Sequence, residues 1–182
     1  MLSESLGKGR KMGHDHPMST TDEFVAANDT YATSGFPGLQ PLPPARKIAI
    51  VACMDARLDP AKIFGFAEGE AHVIRNAGGA VSADVERSLA ISQRLLGTEE
   101  IVLVHHTDCG MLTFTDDDFR TGIEQETGQR PGWAAEAFSD PAAEVRQSMR
   151  RIESSPFIPH RVVRGFVYDV ATGRVNEVSL PS

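Results

Sequence analysis

Polar and apolar positions alternate between two periods along this chain. From residue 47 to 53 it reads Lys-Ile-Ala-Ile-Val-Ala-Cys, with no charged side chain after the first position. A short unbroken apolar run predicts a strand covered on both faces, as in a parallel sheet. The signature returns at Ile101-Val102-Leu103-Val104, within a third strand predicted over 100–105, and a mixed run from Glu70 to Arg75 predicts the second. Between the strands the pattern is helical. Asp59-Pro60 pairs an N-cap with a first-turn proline and opens a short helix to about residue 67. Ser82 caps a helix through Leu96, with Val85, Leu89 and Leu96 inward and Gly97 as the stop. Asp116, Asp117 and Asp118 complement the dipole of a helix that Gly128 ends. Asp140-Pro141 starts another, to about residue 153, with Val145, Met149 and Ile152 on one face. Two strands near 162–170 and 174–179, joined through Ala171-Thr172-Gly173, form a closing hairpin. Asn76-Ala77-Gly78-Gly79 is a tight turn, and residues 129–139 are a loop around Trp133.

Strands alternating with helices predict an α/β fold, with a mainly parallel central sheet flanked by helices and the last hairpin as an antiparallel edge. Residues 18–182 are expected to form a single catalytic domain with an N-terminal helix over 21–32. Thr20-Thr21-Asp22-Glu23 resembles a capping box with Thr20 as N-cap, and Phe24, Ala27 and Tyr31 then share a face. A lone helix of this kind needs another surface to cover that face, and a partner subunit is one candidate. Residues 34–45 contain four prolines and read as a linker. Residues 1–17 read as a disordered tail, in which His14 and His16 are at most adventitious ligands.

Charge and composition narrow the function. Lys and Arg number 18 against 25 Asp and Glu, a net charge of −7. With no basic surplus to neutralise phosphates, nucleic acid is not expected as a partner. No apolar stretch approaches the ~20 residues of a membrane helix, and Lys8, Arg10 and Lys11 are not followed by the apolar block of a signal peptide. Two cysteines without a secretory signal read as thiols in a reducing compartment, so a cytoplasmic location is expected and metal or catalytic use outranks a disulfide.

Both cysteines stand in ligand settings. Cys53 ends the first predicted strand, His106 follows the third, and Cys109 lies three residues further on. Ligands of open parallel sheets bind outside the carboxyl ends of the strands, so neighbouring first and third strands would bring all three to one edge. Thiolate and imidazole suit zinc. Three protein ligands leave one position open, the arrangement of a catalytic rather than a structural zinc. Taken singly, a strand-end cysteine is an ordinary buried thiol and His-x-x-Cys arises by chance; the joint pattern carries the reading. Asp55 and Arg57, two and four residues past Cys53, admit two roles. The carboxylate can fill the fourth position and shut the site, or Arg57 can hold it in a charge-assisted pair and leave that position to water.

Cys-x-Asp-x-Arg at Cys53, Asp55 and Arg57, then His-x-x-Cys at His106 and Cys109, resembles the β-class carbonic anhydrases. The flanks Val51 to Leu58, Ile74 to Gly79 and His105 to Met111 are similar too. Arg164 to Asp169 with Thr172-Gly173 resembles the short members of the class, mycobacterial ones among them. The resemblance implies zinc, one ion per chain, on Cys53, His106 and Cys109, with Asp55 and Arg57 as the catalytic dyad. It implies reversible hydration of carbon dioxide to bicarbonate and a proton by zinc-bound hydroxide, a lyase reaction. It also implies a pocket lined by Asn76, Ala77, Gly78 and Gly79, and a homodimer with the N-terminal helix laid on its neighbour, in some members paired into a tetramer. Some members of the class shut the site at lower pH by letting the aspartate bind zinc, so the resemblance leaves open a closed state with Asp55 as a fourth ligand. His72 and His105 are candidate proton shuttles or, on the plainer reading, structural histidines. Two rivals remain: a carbonyl sulfide or carbon disulfide hydrolase on the same scaffold, and a zinc-stabilised module without activity.

Overall fold

The strands and helices expected from the apolar periods are present in the computed structural model, which describes residues 18–181; the expected tail over 1–17, with His14 and His16, lies outside the described residues. The chain divides into two compact units between Leu39 and Gln40. In the first, α1 spans Thr20–Thr30 and continues as a π-helical turn over Tyr31–Gly35. The cap sits one residue earlier than the sequence suggests. Ser19 Oγ accepts from the Asp22 amide at 3.2 Å, and the Asp22 carboxylate accepts from the Ser19 amide at 2.9 Å. In a Ser-Thr-Thr run any of the three hydroxyls can cap; the reciprocal bond from Asp22 selects the serine. No residue of α1 is buried.

The second unit is built on one sheet, with β1 at Ile48–Cys53, β2 at Ala71–Asn76, β3 at Glu100–His106, β4 at Val162–Tyr168 and β5 at Val175–Val178. Its order is β2-β1-β3-β4-β5. The first three pairings are parallel, and β5 runs antiparallel to β4. Among the described residues four α-helices complete the unit: α2 (Pro60–Phe64), α3 (Ala83–Leu96), α4 (Asp116–Thr127) and α5 (Pro141–Ser154). The helix α2 is shorter than expected because Gly65 takes the left-handed conformation, φ 66°, that ends it.

The unbroken apolar run of β1 has a direct cause. Ala49 and Val51 join a core with Leu89, Leu103, Val145 and Ile152, whereas Ile50 and Ala52 join a second core with Leu58, Val104 and Met111. Each face of β1 is therefore covered, and neither tolerates a polar side chain. Along α3, Val85 and Leu89 are buried as expected, but Leu96 is half-buried and the polar Ser92 and Gln93 are buried instead. Both are satisfied: Ser92 Oγ lies 2.7 Å from His72 Nδ1 and from Thr98 Oγ1, and the Gln93 amide bonds the His160 backbone at both ends. With β1 and β3 side by side and parallel, their carboxyl ends open on one edge of the sheet.

Candidate metal centre

The register of the sheet assembles the site. Ala52 of β1 lies opposite Arg75 of β2 and Val104 of β3, so Cys53 and His106 emerge from neighbouring strands at the same edge. After β3, Thr107 and Asp108 turn the chain back, Asp108 with φ 54°, and Cys109 rejoins the group. The glycine turn after β2 closes the floor. Gly79 has φ 75°, and a Cβ there would stand 2.9 Å from the Cys53 amide nitrogen and 3.0 Å from the Val104 carbonyl oxygen. Only glycine lets this turn lie against the ends of both strands.

The ligand atoms of Cys53, His106 and Cys109 all lie within 4.8 Å of one another, and the three residues are buried. The two sulfurs are 4.0 Å apart, in hydrogen-bond contact and not joined as a disulfide. His106 Nδ1 stands 2.8 Å from the Thr107 carbonyl oxygen, which can only accept; Nδ1 therefore carries the proton and Nε2 presents its lone pair. That Nε2 is buried and makes no hydrogen bond of ordinary geometry. An orphaned imidazole lone pair beside two thiols is a donor set that fits zinc. The thiols behave as a pair: a hydrogen bond from Cys109 lowers the Cys53 pKa to about 4, and the same bond raises that of Cys109. A divalent cation between them would balance the charge of both sulfurs as thiolates. Burial opposes protonation of His106, but the Cys53 sulfur, the Thr107 carbonyl and Asp55 outweigh it and raise its pKa.

Arg57 grips Asp55 with a two-pronged bond. Its Nε lies 2.9 Å from Oδ1 and its Nη2 2.8 Å from Oδ2, and the Arg57 amide adds a third bond to Oδ1 at 2.9 Å. These contacts hold the Asp55 carboxyl well below the usual carboxylate range. Its Oδ2 is 3.7 Å from His106 Nε2. Two further residues join the site that sequence reasoning did not single out. Arg75 donates to the carbonyl oxygens of Cys53, at 3.0 and 3.1 Å, and of Asp55, at 2.7 Å, fixing the backbone between them. Asp108 accepts from Arg57 Nη1 at 2.7 Å through its carboxylate and from Nη2 at 2.8 Å through its carbonyl. The only available signal was their position inside the motif flanks, because the register that brings them here is not written in local spacing.

A cavity of about 550 Å³ opens beside Cys53, Asp55 and Cys109, and its far wall is apolar, with Met111, Phe114, Phe119 and Trp133. Of the four turn residues, Ala77 and Gly78 line it. Asn76 instead turns its amide to the Ala80 carbonyl, and Gly79 packs on backbone. The Trp133 loop is tied down by Arg120 on the Pro131 carbonyl and by Asp116 on the Ala137 amide. His105 is wholly buried, edge-on to Phe138, and burial lowers its pKa to about 4. His72 lies opposite Ala49, four residues before the sheet edge, and bonds Ser92. The hydroxyl partner of His72 fits the structural alternative, a satisfied histidine, better than a proton relay to water, whereas both ring nitrogens of His105 are buried without a hydrogen-bond partner, so it is not a satisfied one.

Comparison with known proteins agrees with this geometry. Residues 48–175 match the family model described as carbonic anhydrase. The chain is 63% identical over 163 residues to beta-carbonic anhydrase 1 of Mycobacterium tuberculosis (strain ATCC 25618 / H37Rv), covering 89% of this chain and 99% of the relative. It is 43% identical over 161 residues to a carbon disulfide hydrolase of Acidithiobacillus thiooxidans, covering 74% of each. The crystal structure of a carbonic anhydrase from Streptococcus mutans superposes with a TM-score of 0.84 at 43% identity, covering 90% of this chain and 100% of that one. With its sheet order, its Cys-His-Cys cluster and these relatives taken together, the chain belongs to the β-class carbonic anhydrases.

Proposed function

We propose that this chain catalyses the reversible hydration of carbon dioxide to bicarbonate and a proton, with zinc held by Cys53, His106 and Cys109 and with Asp55 and Arg57 as its catalytic pair. The observation that carries the reading is the juxtaposition of three buried donors, two thiols and an imidazole nitrogen, within 4.8 Å of one another, with a carboxylate oxygen 3.7 Å from that nitrogen. Zinc bound to three protein ligands lowers the pKa of a coordinated water to about 7, which makes hydroxide available at neutral pH. Asp55 stays ionised in the grip of Arg57, so it can accept a hydrogen bond from the nucleophile but cannot donate one, and the nucleophile's lone pair is left to face the substrate. Arg57 also engages both carboxylate oxygens, which disfavours Asp55 as a fourth ligand. The apolar wall of the cavity suits a small uncharged gas and offers bicarbonate no donors, so the product is released to water.

A homodimer is the expected working form, with a tetramer of paired dimers as its extension. The support is α1, whose Phe24 and Val25 are 71% and 64% exposed and call for a covering surface. Among the described residues no helix is long and apolar enough to cross a membrane. Two free cysteines gathered as ligands accord with a reducing, cytoplasmic setting.

The apolar cavity and the similarity to a carbon disulfide hydrolase favour one second reading, hydrolysis of a sulfur-containing cumulene by the same attack. Stopped-flow hydration of carbon dioxide against pH, with zinc quantified per chain and carbonyl sulfide tested on the same sample, separates the two. Carbon dioxide is expected to dominate; a large excess of carbonyl sulfide turnover overturns the assignment.

A further inference from the structure

We propose that Asp108 is a positioning residue that fixes the Arg57 guanidinium and thereby holds the Asp55 carboxylate clear of the metal. The inference rests on the function proposed above and adds a residue that belongs to neither the ligand set nor the dyad.

Arg57 spans two loops. One edge of its guanidinium meets Asp55 at 2.8 and 2.9 Å; the other meets Asp108 at 2.7 Å through the carboxylate and 2.8 Å through the carbonyl. With acceptors on both edges, the plane cannot rotate without breaking charge-assisted bonds. Asp108 reaches this position only with φ 54°, a left-handed conformation that residues bearing a Cβ disfavour and Asp tolerates better than most. Such a conformation persists where the surroundings impose it, and it concentrates at working sites. The stability gained is small, since the Asp108 side chain is 79% exposed and exposed ion pairs contribute little. What the contact supplies is alignment. Asp55 Oδ2 already lies 3.7 Å from His106 Nε2, so a carboxylate freed from Arg57 is the nearest anionic ligand for a cation held by the three donors.

The test uses the full chain with Asp108→Ala, Asp108→Gly and Asp108→Asn, loaded with zinc for turnover and with cobalt for visible spectroscopy. In the Ala and Gly variants kcat for carbon dioxide hydration is expected to fall about ten- to a hundredfold. Metal content should stay at the wild-type level, and the Gly variant should melt no lower than wild type because its backbone strain is relieved. Asn, which keeps an acceptor oxygen, should restore most of the rate. The cobalt spectrum of Asp108→Ala should shift as the carboxylate enters the metal's ligand set, and the shift should vanish when Asp55→Asn is added. Wild-type kcat in the Gly variant, or a lowered melting temperature with an unchanged cobalt spectrum in the Ala variant, overturns the proposal. Wild-type turnover is a separate control: if zinc-loaded wild type fails to hydrate carbon dioxide, the proposed function fails, whereas the variant-to-wild-type ratio judges Asp108 alone.

Discussion

Single side chains divide the labour at this edge of the sheet, and the division can be tested one residue at a time. Cys109 supplies a sulfur 4.0 Å from that of Cys53, whereas Asp55 sits outside the donor cluster with its oxygens on Arg57. Cys109→Ala is therefore expected to lose zinc, measured as metal per chain, and to melt earlier, because the free energy of metal binding stabilises only the folded form. Asp55→Ala should keep its zinc and its melting temperature while kcat/KM for hydration falls on the order of a hundredfold or more. Normal turnover in Asp55→Ala removes that residue from the reaction. At this scale the sequence was informative where chemistry is intrinsic to a residue type: the thiols, the imidazole and the acid–arginine pair announced themselves. It was silent on Arg75 and Asp108, whose roles come from where the backbone carries them. An arginine at the end of β2 donates to the Cys53 and Asp55 carbonyls only because β2 runs beside β1 in that register.

At the level of elements, β4 and α5 meet without a gap. Gly165 on β4 faces Val145 and Met149 of α5, and a Cβ there would overlap the Val145 side chain and press on the Met149 sulfur. Gly165→Ala is expected to destabilise the fold by about 1–3 kcal/mol, read from urea unfolding, through overpacking alone. The sequence placed both elements but not this contact, because a glycine inside a strand run looks the same whether it marks a bulge or a close approach. The edge strand β2 carries a pH-sensitive group. Burial lowers the pKa of His72 below its ordinary 6.5, so the folded state binds its proton less readily than the unfolded chain. Its contribution is thus fully present above pH 6.5 and is lost as pH falls through the lower folded value. Unfolding free energy measured at neutral and mildly acid pH should drop less in His72→Gln than in wild type. An equal drop in both would remove His72 as a contributor. Helix boundaries were legible wherever a glycine or an N-cap stood alone, as at Ser82 and Gly97; they were ambiguous at Ser19, where three hydroxyls compete.

For the whole molecule, the architecture follows from patterning because every level agrees: unbroken apolar strands, amphipathic helices and turn glycines all point to one parallel sheet. The exception is α1, whose apolar side chains remain exposed, and this is where assembly is expected to act. Light scattering should give a mass of at least twice the 19.7 kDa of one chain. Phe24→Asp should shift that mass toward the monomer, and an unchanged mass would place the subunit contact elsewhere. The adjacency of β1 and β3 also governs how the protein matures. Cys53 and Cys109 are 56 positions apart along the chain and come together only when the two parallel strands zip, with the α2–β2–α3 crossover already in place. Such long-range pairing is slow compared with helix formation. A chain in which these two strands are unpaired therefore has no three-donor cradle, so the ion's site exists only where the sheet has formed.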